Sequence, residues 1–296
     1  VVFYLRIRNS LTAISKGFTR IWRTSLKFRL GFTIFIAILC LGAISIATPG
    51  YYKNWYYFRK DTPPQLTSLD FLFGITTNGR SVFWILVNAI INSLAIAAVT
   101  TLIASHLGLF IGMVAGIKGG WIDRVLMFIT DTFVTIPGFP LLYVLSMTLR
   151  PILTLPLLGL LISITSWPWP ARQVRAIVLS LRERDYVTVA RLSGMGTAKI
   201  IISEIFPHLL GWHLINATNT VLYSIGSEAG LAILGLSILQ EDTLGTMIYW
   251  CQHFGALYRG IWWWITPPIT ALIILFVSLY LISAGLQEYF NPRLRG

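Results

Sequence analysis

Charge is what this chain has least of. Only 11% of its 296 residues are Asp, Glu, Lys or Arg, and acids are scarcer than bases, 11 against 23. A soluble domain of this size carries about a quarter charged residues, so a mean hydropathy of +0.72 with 55% hydrophobic residues excludes that class. Cysteine is nearly absent. Cys40 and Cys251 lie in or beside apolar stretches with no zinc or redox spacing, which excludes a disulfide framework and a cysteine metal site. The four histidines at 106, 208, 213 and 253 form no metal set by spacing. No G-x-x-x-x-G-K-[ST] phosphate loop, H-E-x-x-H or G-x-S-x-G is present, so the sequence shows no device for holding ATP or for hydrolytic chemistry.

Long apolar runs fill the space that charge vacates. A helix needs about 20 apolar residues to cross a bilayer, and six stretches approach or exceed that: 28–48, 82–117, 125–149, 152–167, 209–236 and 262–286. The expected fold is therefore an all-α integral membrane protein of six transmembrane helices in the cell membrane. The second run holds no Asp, Glu, Lys or Arg, and is long enough to tilt, kink or project beyond the hydrocarbon. The fourth is short and flanked by Pro151, Pro156, Pro168 and Pro170.

The bases decide orientation. With both termini cytoplasmic, 17 Lys and Arg fall inside and six (Lys53, Arg59, Lys60, Arg80, Arg150, Arg259) fall outside, as the positive-inside rule requires. The net charge of +12 is thereby topological, and nucleic-acid binding drops out. Residues 1–30 carry seven bases and no acid, interleaved with Phe18, Ile21, Trp22 and Leu26. That pattern fits a basic amphipathic helix on the anionic inner leaflet, with a basic tail as the alternative. Residues 49–81, rich in Tyr and Trp, and Trp262–Trp264 fit an outer aromatic belt.

Within the spans, Ala104, Gly108, Gly112 and Gly116 recur every four residues and leave a smooth face for a neighbouring helix; Gly226 and Gly230 offer a second such face. Polar residues in spans are pathway candidates by default. These are Asn88, Asn92, His106 and Glu228, each with hydrogen bonding between helices as the plainer alternative. Asp123 and Asp131 read better as structural helix-end groups than as a proton relay.

One polar island interrupts the apolar runs. Arg182–Pro207 packs Arg182, Glu183, Arg184, Asp185 and Arg191 into ten positions. Tyr186, Val189, Ala190 and Ser193 fall at helical spacing, so a short helix with a narrow apolar stripe is expected. Gly194 would stop it, Thr197 would cap a second helix, and Pro207 would limit that one. A short helix displayed between spans suits docking into a groove on a soluble partner; a solvated loop is the alternative.

This island resembles the cytoplasmic coupling loop of ABC importer permeases, whose usual form is Glu-Ala-Ala, three residues, Gly, then a hydrophobic-Pro pair. Ala190, Gly194, Phe206 and Pro207 match in register, whereas Thr188 replaces the usual Glu and Val189 the first Ala. Arg184, Asp185, Tyr186, Val187 and Arg191 resemble the form in the second (C-type) permease of dipeptide/oligopeptide systems. Gly79-Arg80 before the second span, the run Glu228-Ala229-Gly230-Leu231 with Gly235-Leu236, and Gly245-Thr246-Met247 are also similar to that family.

The resemblance implies a type I ABC importer permease fold. It implies an N-terminal region 1–80 (basic segment, first span, outer loop), then a permease core 81–296 with five spans and the coupling loop at 171–206. It also implies partners: a second homologous permease, two ATPase subunits holding ATP and magnesium, and an extracellular solute-binding protein delivering to loops 49–81 and 237–260. This chain would bind no cofactor and catalyse nothing. Peptides are the expected cargo, oligosaccharides the alternative. An ion-coupled secondary carrier is less well supported, because no internal duplication is visible.

Overall fold

The computed structural model describes residues 17–291 and, apart from an isolated antiparallel bridge between Ile75 and Ser81, is built of helices. Arg6, Arg8 and Lys16 of the basic segment, and Arg293 and Arg295, lie outside the described residues. Residues 17–24 are helical, with Arg20 and Arg23 exposed and Ile21 buried. Phe18 and Trp22 stack on each other and pack edge-on against α1 (Leu26–Ala43), Phe18 on Phe28 and Phe32 and Trp22 on Phe32. Ser25 caps α1, its hydroxyl accepting from the Phe28 amide, which satisfies one of the free donors at a helix start.

α2 (Val82–Lys118) is the central mast. Its 37 residues extend roughly 55 Å at 1.5 Å each, well past a ~30 Å hydrocarbon core. α1 packs against α11 (Trp262–Phe290), and both lean on α2. The tightest approach is at Gly285, where a β-carbon would lie 2.5 Å from the Phe28 nitrogen.

The third stretch is not one straight span. α3 (Gly120–Thr135) and α4 (Gly138–Thr148) meet at 82°. The cause is local: Pro137 forces its predecessor out of helical geometry, and Ile136 sits extended at φ −76°, ψ 125°. α5 (Leu155–Ser166) is short and runs through Trp167 into α6 (Pro168–Leu181), which begins on a proline where a missing amide costs nothing. α7 (Asp185–Leu192), α8 (Thr197–Ile200), α9 (Phe206–Ile233) and α10 (Leu244–His253) complete the described chain up to α11.

By length and composition, α1 with its 3-10 extension to Ala47, α2 and α11 can cross a membrane, and the bent α3–α4 pair makes up to four spans. The other two expected crossings fall on α5, apolar but only 12 residues long, and on α9, long but interrupted by His213, Asn216, Asn219 and Glu228.

Two sequence expectations around α8 are corrected. Thr197 is the first residue of α8, not its cap; Gly196 holds that position and no side chain caps the helix. Pro207 does not limit the second helix. The chain stays helical from 197 to 233, with a π-helical stretch at Ile201–Ile205 that ends two residues before the proline. A proline inside a helix leaves the preceding turn without a donor, and a widened turn absorbs the mismatch.

Candidate functional site: a short seated helix beneath a cavity

α7 ends as the sequence expects. Gly194 adopts φ +75°, the Met195 amide donates to the Ala190 carbonyl at 3.1 Å, and the Gly194 amide donates to Arg191 at 3.0 Å. This paired closure satisfies the last free carbonyls of the helix and requires a left-handed residue at 194.

The buried face is shifted from the one expected. Val187 is fully buried and Ala190 nearly so, with Tyr186 half-buried beside them, whereas Val189 is 61% and Leu192 83% exposed. Arg184, Asp185, Thr188, Arg191, Ser193 and Gly194 are also exposed. The stripe of Tyr186, Val189, Ala190 and Ser193 is thus corrected to Tyr186, Val187 and Ala190. Its floor, contributed by α2, α6, α8 and α9, includes Met113, Val178, Ile200 and Leu209. Helical spacing offered either Val187 or Val189, and only this floor selects between them. The Tyr186 ring stacks on His208 at 5.2 Å, 15° from parallel.

The seat is braced from the side. Arg175 grips Asp123 with two bonds, Nε to Oδ1 at 2.5 Å and Nη2 to Oδ2 at 2.6 Å, and Arg172 reaches Asp131 at 2.5 Å. These pairs join α6 to α3, consistent with structural roles for both aspartates. Arg182 donates to the Gly116 carbonyl at 3.1 Å, tying the chain just ahead of α7 to the end of α2. The glycine stripe of α2 lies in the same seam. β-Carbons at Gly108, Gly112 and Gly116 would meet Pro170 at 2.8 Å, the Ala171 carbonyl at 2.5 Å and Val178 at 2.7 Å, so α6 fits only because they are absent. Gly230 has Phe139 at 3.1 Å, but Gly226 has only Phe276 at 3.8 Å, ordinary contact. Close packing at Gly226 is therefore corrected.

Above the seat, a cavity of about 380 Å³ opens between the α3–α4 bend, the α5–α6 joint and α9. Phe133, Trp169, Trp212 and Tyr223 line it with rings; Thr165, Ser166, Gln173, Asn216, Asn219 and Thr220 line it with polar groups. None of the four expected pathway residues does. Asn88 donates to Thr48 at 2.8 Å, tying α2 to the chain after α1. Asn92 donates to the Asp242 carbonyl at 2.8 Å. Glu228 is 1% exposed and accepts from Thr243 at 2.6 Å and Ser237 at 2.9 Å, anchoring the segment that leads into α10. His106 is exposed, holds the Leu102 carbonyl at 3.0 Å, and meets His213 edge-on at 4.8 Å between ring centres. The missed signal was the spacing Asn216, Asn219, Thr220, Tyr223, a polar stripe on one face of α9.

The outer ends are locked together. Arg80 and Asp242, each 7% exposed, form a two-pronged pair at 3.0 and 2.5 Å, and Arg80 Nε donates to the Tyr52 carbonyl at 2.9 Å. Asp70 accepts from Trp84 at 2.8 Å and Tyr51 at 2.9 Å; burial and that bond push the Tyr51 hydroxyl up to about 12.

A bundle of helices long and apolar enough to cross a membrane, with an open cavity between them and a short helix seated at one end, has the architecture of a membrane permease. The family described as "Binding-protein-dependent transport system inner membrane component" matches residues 108–296, and the chain belongs to that family. It is an integral inner-membrane component. Oligopeptide transport system permease protein OppC of Mycobacterium tuberculosis (strain ATCC 25618 / H37Rv) is 29% identical over 204 residues, 69% of either chain. OppC of Lactococcus lactis subsp. lactis (strain IL1403) is 30% identical over 214 residues, 72% of either chain. Nickel transport system permease protein NikC of Escherichia coli (strain K12) is 28% identical over 278 residues, 91% of this chain and 96% of that one. Among solved structures, the MetNI methionine ABC transporter in an inward-facing conformation shares the fold, with a TM-score of 0.56 at 22% identity over 72% of this chain and 97% of that chain.

Proposed function

We propose that this chain is a peptide-translocating permease subunit of an ATP-driven importer, and that α7 is the helix through which nucleotide hydrolysis in a separate subunit moves it. The carrying observation is the seat of α7. A helix buried on one side through Val187 and Ala190 in a cluster with residues of α2, α6, α8 and α9, and apolar but exposed on the other through Val189 and Leu192, passes a push onward as a rigid body. An ATPase subunit would supply the groove for that exposed side, with ATP and magnesium bound there. A homologous second permease would complete the pathway, a second ATPase would dock on it, and an extracellular binding protein would load peptide at 49–81 and 237–260.

Peptide is favoured by the oligopeptide systems named among the relatives and by the cavity lining. Gln173, Asn216 and Asn219 each carry both a donor and an acceptor, the pair a peptide backbone needs. The cavity's aromatic rings would also suit an oligosaccharide. Reconstitution with the partner subunits tests the reading. Gly194→Val, or Arg184→Asp with Asp185→Arg, should leave ATP hydrolysis running while peptide uptake falls. Unchanged uptake would refute the role of α7, and competition by oligosaccharide but not by peptide would reassign the cargo.

A further inference from the structure

A second cavity, of about 440 Å³ and sharing no lining residue with the first, lies between α1, α2 and α11. Its walls are Ile38 and Leu41, Leu86 and Ile90, and Ala271 and Ile274, with Phe73 and Pro64 over its outer end. It follows α11 from Trp262 to Ile274, roughly 18 Å of helix, close to half of a ~30 Å hydrocarbon core. A slot one leaflet deep, apolar but for Thr266 and Thr270 and set in membrane-crossing helices beside Trp262 and Trp263, has the dimensions and chemistry of an acyl-chain site.

The rim adds charge. Among the outer bases, Lys53 pairs with Glu241, Arg80 with Asp242 and Arg259 with Asp61. Arg59 and Lys60 are exposed and form no ion pair among the described residues. They stand beside Thr62, whose carbonyl accepts from Ile75 at 2.8 Å, while the Ile75 carbonyl accepts from Trp263 of the slot wall at 3.2 Å. Two cations without an ion pair among the described residues are therefore carried on the segment that leads into Pro64 of the slot lining, on the face where the positive-inside rule disfavours them.

We infer that this slot holds an outer-leaflet anionic phospholipid, one acyl chain between α1 and α11 and its phosphate against Arg59 and Lys60. The test is native mass spectrometry of the assembled, detergent-purified transporter titrated with phosphatidylglycerol or phosphatidylcholine, with tryptophan quenching by brominated phosphatidylglycerol as a second readout. Thr270 is an exposed residue that lines the slot, so Thr270→Phe obstructs it without disturbing the core. Wild type should retain phosphatidylglycerol in preference to phosphatidylcholine, and T270F should lose the retained lipid and the quenching. Neutralising both bases (R59Q with K60Q) should keep lipid binding but weaken the preference for phosphatidylglycerol about thirtyfold. Equal retention by wild type and T270F would overturn the assignment. So would unchanged lipid retention in T270F together with loss of a protein subunit, which would put a protein over the slot.

Discussion

Removing Arg80 offers the sharpest test of how the outer face is held. In Arg80→Met the side chain keeps its bulk but strands Asp242, which is 7% exposed and loses both guanidinium bonds. Breaking a buried pair from one side costs about 3–5 kcal/mol, because the remaining charge is left uncompensated. At about 2–3 °C per kcal/mol for a chain of this size, the apparent melting temperature in detergent should fall by roughly 6–15 °C. Arg80→Lys should recover only part of this, since an ammonium cannot make the two-pronged contact and reach the Tyr52 carbonyl as well. The double variant R80M/D242L removes both charges and should be more stable than R80M alone. A melting temperature for R80M within a degree or so of wild type, or a double variant worse than R80M, would refute the claim that this pair clamps the outer segments.

Three further outcomes follow from the same geometry. Gly112→Ala should destabilise by about 1–3 kcal/mol through overpacking against Ala171 and Val174, whereas Gly226→Ala should be neutral or stabilising; equal losses by thermal unfolding would contradict the packing described. Val187→Asp places a charge in a fully buried site and should disrupt the seat of α7, seen as protease sensitivity near residue 187. Val189→Ala with Leu192→Ala should leave folding intact yet reduce co-purification of the ATPase, and normal recovery of that subunit would argue against these residues as the docking face.

Composition and periodicity were enough to read the class of this molecule, because hydrocarbon tolerates so few sequences: scarce charge, long apolar runs and bases biased to one side leave little choice but a helical membrane bundle. Local backbone rules also carried far. The stop at Gly194 was readable because a left-handed closure is decided within six residues, and the Gly108–Gly112–Gly116 stripe because its period matches the helix. Relations between elements were not readable in the same way. Whether Val187 or Val189 faces inward depends on where α2, α6 and α9 stand. Whether Asn92 or Glu228 faces a pathway or a neighbour depends on how 237–246 folds back, a segment 150 residues on from Asn92 and 9 to 15 residues on from Glu228 at the bonded positions. The stretch 125–149, read as one run, bends by 82° at Pro137, and Pro207 announced an end that a π-helical turn removed. Short-range sterics and solvent preference act within a segment and are written there; which face of a helix is buried, and what its polar groups bond to, are set by partners that only the tertiary structure supplies.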